Sequence, residues 1–94
     1  MNNEFEWDPD KAISNFEKHG VTFEEAASVF FDPLSITIND PKHSVDEIRL
    51  IIIGHSILDR ILVVVHTDRN DKIRIISARP ATAAEKRSYE RKQI

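Results

Sequence analysis

The chain has 94 residues, a net charge of −3 and no cysteine. That length suits one small domain over residues 1–94, and the lack of cysteine excludes a disulfide framework or a thiolate metal site. Apolar residues at 40% and charged residues at 31% mark an ordinary globular chain whose longest strongly apolar run is too short to cross a membrane, so a cytoplasmic protein with no membrane partner is expected.

Taken in chain order, "EFEW" alternates like a short strand. Asp8-Pro9 announces a helix, with Asp as the N-cap and Pro in its first turn, and Gly20 supplies the left-handed stop after His19. Ala12, Ile13 and Phe16 form its expected core arc. Thr22-x-x-Glu25 is a capping box opening a second helix with the stripe Phe23, Ala26, Ala27 and Phe30. "LSITIN" at 34–39 alternates as a half-buried strand, and "DPKHSVD" at 40–46 is a polar loop. Three β-branched strands follow, "EIRLIIIGHS", "ILVVVHT" and "IRIISAR", joined by the short connections "ILDR" and "DRNDK". A second capping box, Thr82-x-x-Glu85, opens a C-terminal helix to about Lys92. The order β-α-α-β-β-β-β-α predicts an α+β fold: an antiparallel sheet with both N-terminal helices on one face.

Pairing Thr67 with Ile73, and Ser56 with Ile61, sets the expected sheet faces. One face collects Ile48, Leu50, Ile52, Val63, Val65, Ile73 and Ile75 and should carry the helices. The other carries Arg49, Ile51, Ile53, His55, Leu62, Val64, His66, Arg74 and Ile76. Its aliphatic part, Ile51, Ile53, Leu62 and Val64, is the expected docking patch for a partner segment or for the chain's own last helix. Its basic part suits phosphate. Arg74 and Arg79 have opposite parity, so they should point apart unless the strand bends before Pro80.

Charge is unevenly divided. Residues 1–48 hold three lysines against eleven acids, net −8, and residues 49–94 hold ten basic residues against five acids, net +5. The second half reads as a phosphate-facing surface or as one pole of a domain whose halves neutralise each other. On the first helix, Asp8, Lys11, Asn15, Lys18 and His19 fall within an arc of about 100° beside the core face. Polar groups so placed line a cleft; Lys18 and His19 also suit the loose carbonyls of a helix end.

No His-x-x-x-His or paired-carboxylate constellation points to a metal, and with only Gly20 and Gly54 there is no glycine-rich phosphate loop. No cofactor is expected. Arg, Lys, His and Tyr remain, a set able to cleave RNA: a base takes the 2′-OH proton, cations stabilise the phosphorane, and an acid protonates the leaving 5′-oxygen. Phosphate binding without catalysis is equally open on residues alone. Trp7 reads as a core residue, and Arg69 as a turn residue.

"FEWDPDKAISNFEKHGVTFEEAASVFFDP", "HSVDEIRLIIIGHS" and "VVVHTDRNDKIRIISARPATAAEKRSYE" closely resemble the BrnT family over residues 5–90. Trp-Asp, Asn-x-x-Lys-His-Gly, Arg-x-x-x-Ile-Gly and "RIISAR-x-A-T" carry the resemblance, and Glu85-Lys86-Arg87-Ser88-Tyr89 departs from the usual Glu-Arg-x-x-Tyr. It implies a RelE-like fold and the toxin half of a type II toxin–antitoxin pair, a metal-independent endoribonuclease that stops translation and growth. The implied partner is a BrnA-like ribbon-helix-helix antitoxin, with DNA met only through it. The implied catalytic set is His19, Lys18, Arg74, Arg79 and Tyr89, with Lys11, Arg49 and Arg69 binding RNA phosphates, joined by His66 from the basic part of the expected sheet face. Two other readings are a non-catalytic docking module that acts as co-repressor, and a nuclease acting only on ribosome-bound mRNA.

Overall fold

The computed structural model describes residues 4–40 and 47–92, so most of the expected polar loop, with His43, lies outside the described residues. Helix α1 (Pro9–His19) starts where expected: the Asp8 carboxylate accepts from the N–H groups of Asp10 at 2.8 Å and Lys11 at 3.4 Å. It stops at Gly20, whose φ of 70° lets its N–H reach the Phe16 carbonyl at 2.8 Å. Helix α2 (Phe23–Ser28) is capped by the Thr22 hydroxyl and runs into a single 3₁₀ turn at Val29–Phe31. Its capping box is only half made. The Glu25 side chain turns inward, accepting from Ser56 Oγ at 2.7 Å and Arg60 Nε at 3.0 Å. Helix α3 (Ala83–Arg91) has the full reciprocal box between Thr82 and Glu85.

Five strands form one sheet in the order β1-β5-β4-β3-β2: β1 (Glu4–Glu6), β2 (Ile36–Asn39), β3 (Leu50–His55), β4 (Ile61–Arg69) and β5 (Lys72–Pro80). The sheet is mixed rather than antiparallel, because β1 pairs with β5 in parallel, Phe5 opposite Ile73. A strand separated from its neighbour by the whole rest of the chain is not bound to hairpin geometry.

Both expected registers are off by one. β4 runs on to Arg69, and Asn70 and Asp71, both at positive φ, make a two-residue turn in place of the five-residue loop. That twist matches the strands it joins. Thr67 therefore meets Arg74, and at the other end His55, not Ser56, meets Ile61. A slip of one turns over every side chain of β4. Leu62 and Val64, expected on a docking patch, are wholly buried beneath α1 and α2 with Ile52, Ile75 and Ala78. His66 goes with them. It is buried edge-on to Phe30, ring centroids 4.7 Å apart, and burial pushes its pKa below the ordinary value. A buried neutral ring is no phosphate ligand. Val63 takes the opposite face with Ile51 and Ile53, and α3 packs there through Tyr89, beside Ala81 of the segment that leads into it.

Helix α1 also differs from its expected arc. Ile13 and Phe16 face solvent, whereas Asn15 is buried and Ala12 packs on the core. The cause is the neighbour: β1 covers only the first three residues of β5, leaving the rest of that strand's outer edge without a strand partner. Asn15 fills the vacancy. Its Nδ2 donates to the carbonyls of Ala78 at 2.9 Å and Val21 at 3.0 Å, and its Oδ1 accepts the Ala78 N–H at 3.1 Å. Trp7 lies edge-on to Phe23 at 5.8 Å, closing the same end of the core.

Replacing Asn15 with Ala should cost about 3 kcal/mol, since three buried backbone groups lose their partner. Urea unfolding of the variant would measure it, and a loss under about 1 kcal/mol would show that water replaces the amide.

Candidate phosphate cleft and its surroundings

The polar stripe of α1 meets β5 across a cleft of about 190 Å³ lined by Lys11, Ser14, Asn15, Lys18 and His19 from the helix and Ile76 and Ser77 from the strand. Sequence placed four of these on one helix arc; the strand side was not expected. No carboxylate lines the cleft. Two ammonium groups, an imidazole and two hydroxyls line one small space, a donor set on both banks whose chemistry suits an anion.

Ser77 reaches the cleft because β5 bulges. Val65 pairs with Ser77 but the next residue, His66, pairs with Ile75, so Ile76 is extra. One extra residue resets the alternation of the strand. Arg74, Ser77 and Arg79 thereby oppose Thr67, Val65 and Val63 and share one face. The bend before Pro80 that aligns the two arginines is this bulge at Ile76. Neither arginine lines the cleft itself. Arg79 forks onto Glu85, Nη1 to Oε1 at 2.7 Å and Nη2 to Oε2 at 2.8 Å, and Arg74 meets Glu6 at 3.4 Å. Arg49 and Arg69 lie elsewhere, sharing Glu47 at 3.5 and 3.7 Å. The two charge poles of the chain thus neutralise each other at Arg49, Arg69 and Arg74, while no ion pair among the described residues engages Lys11, Lys18 or His19.

Tyr89 is not part of the cleft. It is buried against β3 and β4, and its hydroxyl donates to Asp32 Oδ2 at 2.6 Å, with His55 Nδ1 at 3.3 Å. Burial and the Asp32 carboxylate push the phenol up to about 12. Burial would raise Asp32, but the bonds from Tyr89, His55 N–H and Leu34 N–H outweigh it and hold the carboxyl below its usual range. A phenol so held is a latch for α3 rather than a proton carrier. Asp32 and His55 carried no expected role, and nothing in their spacing, 23 residues apart, announces the contact. Gly54 permits it: a Cβ there would stand 2.9 Å from Asp32 Oδ2 and 3.0 Å from Val29 Cγ1. Among the described residues no group of three or more His, Cys, Asp or Glu side chains is placed to hold a metal ion, and no helix is long and apolar enough to cross a membrane.

A family model described as "Ribonuclease toxin, BrnT, of type II toxin-antitoxin system" matches residues 7–85. Among solved structures, the ribonuclease toxin BrnT of Brucella abortus matches in fold with a TM-score of 0.59 and 24% identity, covering 86% of this chain and 99% of that one. No curated protein matches in sequence.

Two titrations check the outer contacts. Tyr89 is the one tyrosine, so phenolate absorbance should rise near pH 12 rather than 10. Its folded value is raised, so the stability from the Asp32 latch is present below pH 10 and lost as pH climbs to about 12. The Arg79 fork holds Glu85 down to about 2 against an ordinary 4.5, so its contribution is present above pH 4.5 and lost as pH falls to about 2. Glu85→Gln should remove that acid limb from a circular-dichroism titration.

Proposed function

The chain belongs to the BrnT family of type II ribonuclease toxins, and on that premise we propose that it is a metal-independent endoribonuclease acting at the α1–β5 cleft. The observation that carries this reading is the convergence of Lys11, Lys18 and His19 with Ser77 in a space without carboxylates. A scissile phosphate there would sit between the two ammonium groups. The substrate's 2′-oxygen forms the new bond to phosphorus as its proton leaves, and the bond to the 5′-oxygen breaks as that oxygen gains a proton. His19 exchanges a proton, and Lys18 and Lys11 stabilise the phosphorane charge. Arg74 and Arg79 flank Ser77 on the same face and would trade an internal carboxylate for the RNA backbone. Tyr89 is assigned to holding α3.

The likeness to RelE-type nucleases suggested by the sequence motifs fits this cleft at a sheet edge. We take residues 1–94 as one domain acting in the cytoplasm, restrained by a BrnA-like ribbon-helix-helix antitoxin that supplies the contact to DNA. Pairing of four arginines with internal carboxylates favours a second reading, a docking module without catalysis that serves as co-repressor.

Purified chain should cleave RNA in EDTA. His19→Ala and Lys18→Ala should each lower the rate about 10²-fold or more. An RNA carrying a 2′-deoxy group at the scissile nucleotide should resist. Cleavage of the deoxy substrate would overturn the mechanism. Absence of cleavage, together with a tight antitoxin complex and no growth arrest on expression alone, would favour the docking module; arrest of translation in extract without cleavage of free RNA would favour a ribosome-dependent nuclease.

A further inference from the structure

The two edges of the sheet are guarded differently. On one side β1 carries Glu4 and Glu6, whose carboxylates lie 3.8 Å from Lys72 and 3.4 Å from Arg74, and beyond it Asn15 occupies the main chain of β5 at Ala78. Charge and a covering helix are common defences of a strand edge. The opposite edge is β2, paired with β3 alone. Residues 33–39, "PLSITIN", hold no charge in a chain that is 31% charged, and Thr37, Ile38 and Asn39 are exposed. The ladder fixes which of their groups point outward. The Asp40 N–H donates to the Arg49 carbonyl at 2.9 Å, continuing the register that sets Ile38 opposite Ile51 and Ile36 opposite Ile53. Hydrogen-bonded pairs alternate along an antiparallel ladder, so the main-chain groups of Ile36, Ile38 and Asp40 face β3 and those of Thr37 and Asn39 face away. Among the described residues nothing bonds to those outward groups.

We propose that β2 pairs antiparallel with β2 of a second copy of this chain, across a two-fold axis at Thr37, so that two sheets join into one. Symmetry and side-chain chemistry choose this occupant and this register. A two-fold axis normal to the sheet keeps like faces together, so each residue meets only partners of its own parity. With Thr37 opposite Thr37 of the second copy, the two exchange both main-chain bonds, and each Asn39 N–H meets a Ser35 carbonyl. Ile36 and Ile38 then oppose each other in the close, non-hydrogen-bonded pairs. The row Val65–Ile51–Ile38 of one copy runs on into Ile36–Ile53–Val63 of the other, which buries an Ile38 that is 51% exposed in the single chain. Moving the axis to Ile38 would set Ile36 against Asp40 instead. The strands bring no like charges together, because β2 has none. The two β5 strands stand seven strand spacings apart, about 34 Å, so both clefts stay open and the pairing is independent of their chemistry. A seam this short buries much less than the ~1,600 Å² of a standard complex, so the dimer is weak and governed by concentration.

The test uses the full chain alone. Sedimentation velocity from about 5 to 500 µM should show a dimer fraction that rises with concentration. Ile38→Lys should weaken self-association at least about 10-fold, since a charge on an edge strand blocks pairing. Thr37→Pro should do the same, because the N–H it removes points outward and β3 loses no bond. Thermal unfolding confirms that each variant folds, and Ile38→Lys decides if Thr37→Pro does not. The chain has no cysteine, so one introduced thiol reports position. Thr37→Cys should oxidise to a covalent dimer. Asn39→Cys should not, because its two copies would lie four residues apart along the seam, about 14 Å. A chain that stays monomeric at every concentration would overturn the proposal, as would a dimer that the folded variants leave unchanged. Equal coupling through Asn39→Cys would overturn the register. If the amides of Thr37 and Asn39 become protected from hydrogen exchange only when the antitoxin protein is added, the edge belongs to that partner and the second copy is ruled out.

Discussion

The buried amide of Asn15 is the contact on which the arrangement depends. β5 is paired along its length with β4 but only for three residues with β1, so most of its outer edge lies without a strand partner beside α1. Asn15 imitates a strand at Ala78, taking the N–H and giving to the C=O, and ties the post-helix carbonyl of Val21 to the same point. An unpaired buried backbone group costs as much as a lost hydrogen bond, so the side chain fixes the helix both in rotation and in distance. Fixing α1 in that rotation turns Lys11, Lys18 and His19 toward Ser77 and exposes Ile13 and Phe16. The helix is thus oriented by a polar clamp against the pull of its own apolar residues.

The second constraint is the bulge at Ile76. It delivers Ser77 to the cleft and brings Arg74 and Arg79 onto the face opposite α1 and α2. The fork from Arg79 to Glu85 then joins β5 to the start of α3, and Tyr89 joins its end to Asp32 behind Gly54. Helix α3 is therefore held at both ends by polar contacts over a small aliphatic cluster.

Charge placement gives these parts different chemistry. Arg49, Arg60, Arg69 and Arg74 are engaged with acids of the first half, so part of the +5 and −8 asymmetry is spent inside the molecule. The cations of the cleft are outside that network. A fold can be acidic overall and still present a locally positive space, because neutralisation acts over a few ångströms and is screened beyond about 10 Å.

Local signals were legible where one residue decides the outcome. Asp8, Gly20, Thr22 and Thr82 mark helix ends because each satisfies or shapes the backbone next to it. Alternation located the strands, and the one-sided helix arc gathered Lys11, Asn15, Lys18 and His19. What the chain alone left undecided was registry. Two hairpin registers each off by one, and one extra residue in β5, exchange Leu62, Val64 and His66 for Val63 and Val65 without altering any local preference. The burial of Asn15, the pairing of Arg74 with Glu6 and the latch of Tyr89 on Asp32 depend on groups 63, 68 and 57 residues away. Such contacts are set by how the layers stack, and side-chain period along one segment holds no information about which distant backbone or carboxylate will lie opposite.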